Sequence, residues 1–474
     1  MYCRLQDGFV LRGYQLLPYA LVRRPWNGIQ FLDGEAFRAL NLCNGGVDVD
    51  QPFVSDRSRE IIKYFMERSA VCACEYSDAL HEDQRYRFYD NRFIHTAHWS
   101  ITGKCNYRCK HCYMSAPEAK LGELPHDQVM DIIRQIEDCG ILSVSLTGGE
   151  PLIREDFEDI VAELSRRHIE ISQIYTNGRL VTPELLDMLD WYGCKPEFNM
   201  SYDGDEGWHD WLRGIPNAGK YVLDAFDLCH ARGFSTSSEM CLHRGNLGLL
   251  RQSLNTLAAH HCAGCKTNPV TDTELWRRYG EDYTITMEEL FEAYLAYIPD
   301  FYADGMPLTL MLGGFFLCEK GDARGWSIPL LKSEREDEAC LRQTVCAHAR
   351  NTLYISPEGR MLPCLSLSAY DVQYDYPRIS DIGLRAGLTD STYMRLIDTR
   401  VEEYLKRNAE CGECAYRLRC AGGCRASALG SDPTDIMGPD RAACLLFLGE
   451  YIPRIMSTVR EAHSRLSTEA SMSM

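Results

Sequence analysis

Strand-like and helix-like segments alternate between about residue 95 and residue 261, and this regularity limits the possible folds more than any other feature. A short apolar run such as ILSVSL is followed by an amphipathic stretch such as REDFEDIVAELSRRH, and five such units follow one another. Strand–helix repeats of this kind predict a parallel sheet covered by helices, closed into a barrel or part of one. In that architecture the reactive residues lie on loops after the carboxyl ends of the strands.

Composition excludes two broad classes of function. The chain has 474 residues, enough for two to four domains, and an ordinary hydrophobic content of 45%. Its net charge of −18 has the wrong sign for a nucleic-acid binder, and no apolar run is long enough to span a membrane. The first segment, MYCRLQDGFV, lacks the basic and apolar stretches of an export signal, so we expect a cytoplasmic protein.

The chain carries 22 cysteines, which in a reducing compartment points to metal or redox chemistry. Cys105, Cys109 and Cys112 lie in CNYRCKHC, directly after the first strand of the alternating region. Closed metal sites usually have four protein ligands, so a set of three leaves a coordination position open. The alternatives are a fortuitous group of cysteines, a three-thiolate zinc site, and a 4Fe–4S cluster whose free iron binds a small molecule through an amine and a carboxylate.

CNYRCKHC resembles the cluster motif of radical S-adenosylmethionine (SAM) enzymes, and TGGEP at 147–151 resembles the segment that holds the amino group of SAM in that family. Paired glycines let the backbone come close, and a glutamate can receive a cationic amine. SYDG at 201–204 and HDWLRG at 209–214 resemble two further segments near the cofactor. The resemblance implies that SAM is contacted by Gly148, Gly149, Glu150, Pro151, Ser201 and Arg213.

Other positions also bear on this resemblance. Asp203 is a weaker candidate for a cofactor contact than Ser201, and a salt bridge on a surface helix is the alternative role for Arg213. YTNG at 175–178 also matches the family, although Asn-Gly is a common turn pair. His111 occupies a position that is commonly aromatic in the family, which leaves the adenine contact open.

A second group of cysteines lies near the C-terminus. CGECAYRLRCAGGC has the spacing C-x2-C-x5-C-x3-C, with three more cysteines upstream and one downstream. A structural zinc knot is one interpretation. The layout resembles the SPASM extension, which holds two auxiliary 4Fe–4S clusters in radical enzymes that act on peptides. The resemblance implies one cluster on Cys340, Cys346, Cys364 and Cys424, and another on Cys411, Cys414, Cys420 and Cys444.

The cysteines outside these motifs have simpler interpretations. Cys262 and Cys265 in HHCAGC form a single C-x2-C pair, which composition alone explains, and Cys43, Cys139 and Cys229 sit in helical patterns that predict core positions. Cys72 and Cys74 alternate in a strand and are expected to pack as small apolar residues.

Residues 9–76 form a separate unit by pattern. Two short strands flank a turn at 25–28, a helix closes at Gly45 and Gly46, a second helix begins at Ser55, and VCACEY returns as a strand. This winged-helix pattern resembles the PqqD-like element that binds leader peptides by strand addition. Its nearly neutral charge suits a peptide, and a purely structural cap is the alternative. The polar segment 77–92 is predicted to be a linker.

The fold class expected from these features is α/β, with a partial (β/α)6 TIM-like barrel between an N-terminal winged-helix-like domain and a C-terminal SPASM domain. The predicted parts are a peptide-recognition element with linker at 1–88, the barrel at 89–310, a bridging segment at 311–339, the SPASM domain at 340–450, and a closing helix at 451–474.

The resemblances imply a radical SAM peptide maturase with three 4Fe–4S clusters and SAM as cofactors. A precursor peptide would be its partner, an external flavodoxin or ferredoxin its electron donor, and a thioether or other cross-link its product. Formylglycine formation in a sulfatase is the second hypothesis, and a non-catalytic iron–sulfur protein the third. No residue can be named as general base, because the acidic candidates are too numerous.

Overall fold

The computed structural model describes residues 1–24, 28–116, 120–204, 206–333 and 337–472. The turn predicted at 25–28 falls mostly outside these residues, as do 334–336 of the predicted bridging segment and the last two residues of the predicted closing helix. The N-terminal unit consists of β1 (Tyr2–Leu5), β2 (Phe9–Gln15), β3 (Leu17–Arg23), β4 (Gly28–Phe31), α1 (Gly34–Asn41), β5 (Asn44–Asp48), α2 (Asp56–Glu67), β6 (Val71–Cys74) and β7 (Arg87–Arg92).

These strands form two small sheets, one in the order β5-β1-β6 and the other in the order β4-β3-β2-β7. The second helix begins where predicted, because the Ser55 side chain accepts a hydrogen bond from the Ser58 backbone N–H. The predicted end of the first helix is wrong. The helix already ends at Asn41, and Gly45 and Gly46 belong to β5.

The linker prediction is also wrong in its second half. Residues 87–92 form β7, which pairs in parallel with β2, and its buried Tyr89 and Asn91 alternate with exposed residues. A strand at the edge of a sheet is polar on its outer face, which is why its composition indicated a linker. The predicted boundary at residue 88 therefore lies inside a strand.

The alternating region forms the centre of an eleven-stranded sheet within the described residues. Its elements are β8 (Thr96–Thr102), α3 (His126–Asp138), β9 (Ser143–Gly148), α4 (Phe157–Arg166), β10 (Glu170–Thr176), α5 (Pro183–Trp191), β11 (Glu197–Ser201), α6 (Glu206–Arg213), α7 (Ala218–Ala231), β12 (Thr236–Leu242), α8 (Leu250–Ala259), β13 (Gly264–Pro269), α9 (Glu274–Tyr279), α10 (Met287–Ala303), β14 (Thr309–Leu312), β15 (Phe316–Cys318) and β16 (Trp326–Ser327).

Strands β8 to β14 are parallel neighbours in chain order, as repeated strand–helix units require. The α/β partial-barrel prediction is therefore confirmed. One set of alternate residues, including Trp99, Leu146 and Phe198, is buried with the helices in the main core. The residues between them are mostly polar and lie on the opposite face of the same strands.

The C-terminal region is mostly short helices and joins the barrel directly. Its elements are α11 (Ala347–Asn351), β17 (Thr352–Ile355), β18 (Met361–Leu362), α12 (Ile379–Ile382), α13 (Leu384–Gly387), α14 (Thr392–Asp398), α15 (Val401–Arg407), α16 (Ala409–Gly412), α17 (Arg417–Cys420), α18 (Arg425–Ser431), α19 (Arg441–Leu448) and α20 (Tyr451–Met472). Strand β17 pairs in parallel with β8, so this region extends the barrel sheet. Likewise β15 and β16, in the predicted bridging segment, continue the sheet beyond β14.

In the described part of the chain, no single helix is long and apolar enough to cross a membrane. Helices α19 and α20 reach that length and composition only as a pair, and the pair is bent by 63°.

Candidate functional site

Three cysteine sulfurs lie in the loop after β8, and each receives an N–H from the protein. The backbone N–H of Tyr107 lies 3.4 Å from Cys105 Sγ, that of Ala116 lies 3.4 Å from Cys112 Sγ, and Arg213 Nη1 lies 3.9 Å from Cys109 Sγ. Hydrogen bonds to sulfur are a regular feature of iron–sulfur ligation, because they stabilise the negative charge of the thiolates.

Three thiolates on one loop are the donor set that the predicted 4Fe–4S cluster uses. The residues present fit that cluster through the type of their donor atoms and through the N–H groups that face each sulfur.

Gly148 and Gly149 bring the end of β9 against the start of the cysteine loop. The backbone N–H of Gly149 donates to Thr102 at 2.9 Å, and that of Glu150 donates to Lys104 at 2.9 Å. A Cβ added to Gly149 would lie 2.2 Å from the Lys104 carbonyl oxygen, and one added to Gly148 would lie 2.4 Å from that of Thr102. The close approach of the two loops requires residues without a side chain.

Glu150 is fully buried, and its carboxylate accepts three hydrogen bonds. The donors are Thr176 Oγ1 at 2.8 Å, the Asn177 N–H at 2.8 Å and the Leu152 N–H at 3.1 Å. Burial raises the pKa of Glu150 to about 7, although the hydrogen bonds act in the opposite direction. Within the part of the chain that the structure describes, no cationic side chain is in hydrogen-bond contact with this carboxylate, so it is suited to receive an ammonium group.

The segment YTNG is part of the same structure. Besides Thr176 and Asn177, which bond to Glu150, Asn177 Nδ2 donates to Asn106 Oδ1 at 2.7 Å and so connects the end of β10 to the cysteine loop. Pro151 is buried and begins a short 3-10 helix, Pro151–Ile153. Ser201 ends β11 and is partly exposed at the same edge of the sheet. The structure thus gathers these predicted residues at the carboxyl ends of β8 to β11.

Arg213 lies at the end of α6, is 9% exposed, and points at Cys109. The surface-helix interpretation of this residue is therefore wrong. Its Nε donates to Asp203 Oδ2 at 2.6 Å, while Asp203 Oδ1 accepts the backbone N–H of Cys241 at 2.9 Å. Asp203 is fully buried, and both of its carboxylate oxygens have partners within the protein. His111 lies beside this pair, and burial lowers its pKa to about 3.

The C-terminal cysteines fall into two electrostatic groups. Burial, Cys424 and Cys346 together raise the pKa of Cys364 to about 11, and burial, Cys444 and Cys411 contribute to a Cys420 pKa of about 12. Cys414 Sγ accepts the N–H of Tyr416 at 3.4 Å. Cys340 is buried in the 3-10 helix Glu338–Arg342, and its pKa is raised by this burial and, to a smaller extent, by Asp337. The ligand pairing stays a prediction.

The other cysteines mostly behave as apolar residues. Cys262 and Cys265 are buried in the barrel core, and Cys43, Cys139 and Cys229 are also core residues. Cys72 and Cys74 are half-buried on β6. Sequence reasoning did not anticipate that Cys43 Sγ lies 3.4 Å from Cys3 Sγ, because the two are forty residues apart.

Sequence reasoning also missed the polar inner face of the barrel. Glu239 on β12 lies 3.5 Å from Lys266 Nζ on β13, and both side chains are partly accessible although their strands are central in the sheet. The negative charge of Glu239 raises the pKa of Lys266, while burial acts to lower it. Cys364 and Cys424 raise this pKa by smaller amounts. The run of polar residues at 236–239, in the first half of β12, was the available signal.

These features define a class of protein. Residues 99–247 match the model described as the radical SAM superfamily. This segment contains the three-cysteine loop, the Gly-Gly-Glu-Pro turn and Arg213. The chain therefore carries a radical SAM domain at these residues, and SAM and a 4Fe–4S cluster are the cofactors of that class.

Two curated relatives extend over most of the chain. The mycofactocin maturase MftC of Mycobacterium tuberculosis is 25% identical over 384 residues, which cover 77% of this chain and 88% of MftC. The AdoMet-dependent heme synthase of Methanosarcina barkeri is 24% identical over 352 residues, which cover 70% of this chain and 90% of the synthase.

Two solved structures share the fold. Streptococcus suis SuiB, bound to the precursor peptide SuiA, aligns with a TM-score of 0.66 at 16% identity and covers 93% of this chain and 99% of SuiB. The enzyme anSMEcpe, with bound AdoMet and the Cp18Cys peptide, aligns with a TM-score of 0.56 at 16% identity. The alignment covers 78% of this chain and 99% of anSMEcpe. The larger coverage by SuiB is consistent with an N-terminal domain of similar fold.

Proposed function

We propose that this radical SAM enzyme modifies side chains of a ribosomally made precursor peptide, with a thioether or other cross-link as the product. The observation that carries the proposal is the N-terminal domain, which the fold of SuiB shares and which adjoins the barrel. SuiB is described with a bound precursor peptide, and MftC is named a maturase. The family match removes the non-catalytic alternative.

The N-terminal domain offers an edge for an extended peptide. Strand β6 is the last strand of the sheet β5-β1-β6, and among the described residues it pairs with β1 alone. Ala73 on this strand is exposed, and so are Tyr76 and Tyr64 nearby in sequence. Main-chain hydrogen bonds at such an edge, supplemented by aromatic contacts, are a common mode of peptide recognition.

The chain's residues have distinct tasks at the cofactor site. When bound, the cluster and SAM supply a 5′-deoxyadenosyl radical that removes a hydrogen atom from a substrate carbon. Glu150 would hold the ammonium group of SAM, and Gly148 and Gly149 let the backbone approach it. The helices that cover the barrel keep water from its apolar wall, while the polar inner face, with Glu239 and Lys266, accepts the peptide side chain.

We further propose that Cys340, Cys346, Cys364 and Cys424 hold one auxiliary 4Fe–4S cluster, and that Cys411, Cys414, Cys420 and Cys444 hold the other. The two electrostatic groups described above support three members of each set, and Cys340 and Cys414 are assigned by the sequence resemblance. Together with the loop cysteines, the chain would bind about twelve iron atoms. Replacing Cys364 or Cys420 by alanine should lower the iron content by about four atoms in each case. An unchanged iron content would remove that cysteine from the ligand set.

A flavodoxin or ferredoxin is the proposed electron donor, and the reducing cytoplasm is the proposed location, since neither exposed clusters nor free thiols persist under oxidation. Formylglycine formation is the weaker alternative. The fold of anSMEcpe covers 78% of the chain against 93% for SuiB, so an extra domain has no counterpart there.

The test is mass spectrometry of a short precursor peptide encoded beside this protein and expressed with it. A cross-link would lower the peptide mass by two hydrogen atoms and depend on all three loop cysteines. An unmodified peptide, together with formylglycine in a co-expressed sulfatase, would reverse the order of the two hypotheses.

A further inference from the structure

The guanidinium of Arg213 lies between a carboxylate and a cluster ligand. Its Nε lies 2.6 Å from Asp203 Oδ2, and its Nη1 lies 3.9 Å from Cys109 Sγ. An arginine guanidinium stays protonated in proteins, and the ion pair with Asp203 compensates the burial of this one. The side chain therefore carries a permanent positive charge directly beside one sulfur of the site.

Asp203 is fixed in place by several elements, and its carboxylate stays charged. Its second oxygen accepts the Cys241 N–H at 2.9 Å, its backbone carbonyl accepts Asn246 Nδ2 at 2.9 Å, and its own N–H donates to His209 Nδ1 at 2.9 Å. Burial would raise the pKa of Asp203, but Arg213 and His209 lower it well below its usual range. The two charges of this buried pair therefore compensate each other, and Arg213 faces Cys109 Sγ.

The helix that carries Arg213 is joined to the cysteine loop by three more hydrogen bonds. The N–H groups of Arg108 and Lys110 donate to the carbonyls of Arg213 and Leu212 at 3.2 and 2.9 Å. Lys110 Nζ donates to the Trp211 carbonyl at 2.6 Å. The position of Arg213 relative to Cys109 is therefore set by the backbone and not by a flexible side chain alone.

We propose that Arg213 raises the reduction potential of the cluster by donating a hydrogen bond to Cys109 Sγ. The negative charge of Asp203 limits this increase. This rests on the assigned cluster and not on the peptide substrate. Reduction adds an electron to a cluster that is already negative, so a neighbouring cation and an N–H donor stabilise the reduced form. The role differs from a contact with the SAM carboxylate, which the family resemblance implies.

The test is an EPR-monitored redox titration of anaerobically reconstituted protein without SAM or peptide. Auxiliary clusters titrate in the same sample, so the alanine variants of Cys364 and Cys420 first identify their signals. Arg213→Gln should lower the midpoint potential of the remaining cluster, while Asp203→Asn should raise it, because the cation then lacks its counter-charge. Arg213→Lys keeps the charge and should give a smaller shift than Arg213→Gln. Arg232→Gln, an exposed arginine that pairs with Asp187, is the matched control.

Opposite shifts in the two variants would support the proposal, because a merely structural role would lower iron content without reversing the sign. Potentials that do not differ from the wild type, or that move in the same direction, would overturn it. SAM affinity is measured separately from the change in the EPR signal on addition of SAM. Loss of SAM binding in Arg213→Gln at an unchanged potential would assign Arg213 to the cofactor carboxylate instead.

Discussion

At the scale of single residues, the site depends on buried groups whose partners come from distant parts of the chain. Glu150 bonds to Thr176 and Asn177, one strand further along, and Arg213 reaches Cys109 across about a hundred residues. The cysteine spacing and the Gly-Gly-Glu-Pro turn could be predicted because they are local patterns. The role of Asp203 could not, since nothing in SYDG indicates that its carboxylate faces inward.

The first prediction concerns pH and SAM binding. Without ligand, Glu150 has a pKa of about 7, above its ordinary value, so the carboxyl is largely neutral in mildly acidic solution. A neutral carboxyl cannot pair with an ammonium group, so SAM should bind more tightly as the pH rises from about 6 to 8. The same pKa shift affects folding stability in the opposite direction. The stability that neutral Glu150 contributes to the folded state is lost as the pH rises through about 7.

Equilibrium binding of SAM to Glu150→Gln provides the measurement. We expect affinity weaker by roughly tenfold to a hundredfold, as for the loss of a hydrogen bond to a charged group, and a flat pH profile in this range. A variant with wild-type affinity and an unchanged pH profile would show that the amine is held elsewhere.

The second prediction concerns the contact between the two loops. Gly149→Ala places a Cβ 2.2 Å from the Lys104 carbonyl oxygen, so the cysteine loop must move. We expect the free energy of unfolding to fall by about 1–3 kcal/mol and the iron content of the loop site to fall with it. Thermal unfolding and iron analysis are the measurements. Gly430→Ala is the control, because a Cβ there meets open space. Equal behaviour of the two variants would contradict the close approach.

At the scale of elements, the barrel strands have two faces with different chemistry. The apolar residues of β8 to β12 pack with the helices, and the polar residues between them form cross-strand contacts such as Asn199 Nδ2 to Ser237 Oγ at 3.1 Å. Alternation along each strand could be predicted from sequence. Which polar residues meet across strands could not, because the register of a parallel sheet is set by the packing of the whole barrel.

The third prediction follows for Glu239 and Lys266. Glu239→Gln and Lys266→Met change only the inner face, so production of 5′-deoxyadenosine without peptide should stay near the wild-type rate. Peptide affinity should fall by roughly tenfold to a hundredfold, because the charge pair is removed from the wall that the substrate contacts. Fluorescence binding of the precursor peptide is the measurement. Unchanged affinity in both variants would place the peptide elsewhere.

At the scale of the whole molecule, two hydrogen bonds join the N-terminal domain to the barrel near the end of α3. The Tyr14 hydroxyl donates to the Gly140 carbonyl at 2.7 Å, and Asn91 Nδ2 donates to the Cys139 carbonyl at 3.0 Å. Tyr14 is fully buried and stacks on Tyr89, with ring centroids 5.3 Å apart. Sequence patterns identified two separate units. They did not reveal this junction, because β7 has the polar composition of a linker.

The fourth prediction tests this junction. Tyr14→Phe leaves the buried Gly140 carbonyl without its side-chain donor, so the free energy of unfolding should fall by about 1–3 kcal/mol. Calorimetry of the full chain is the measurement, and Tyr76→Phe, at an exposed ring, is the control. If both variants unfold at the wild-type temperature, the hydrogen bond across the junction contributes nothing to the stability of the protein.

The central claim is that the loop after β8 carries an iron cluster at which SAM is cleaved. The most direct measurement is the amount of 5′-deoxyadenosine formed when anaerobically reconstituted, dithionite-reduced protein is incubated with SAM. We predict continued formation in the wild type and none in the Cys105→Ala, Cys109→Ala and Cys112→Ala variants. Colourless, zinc-loaded protein that leaves SAM intact would contradict it.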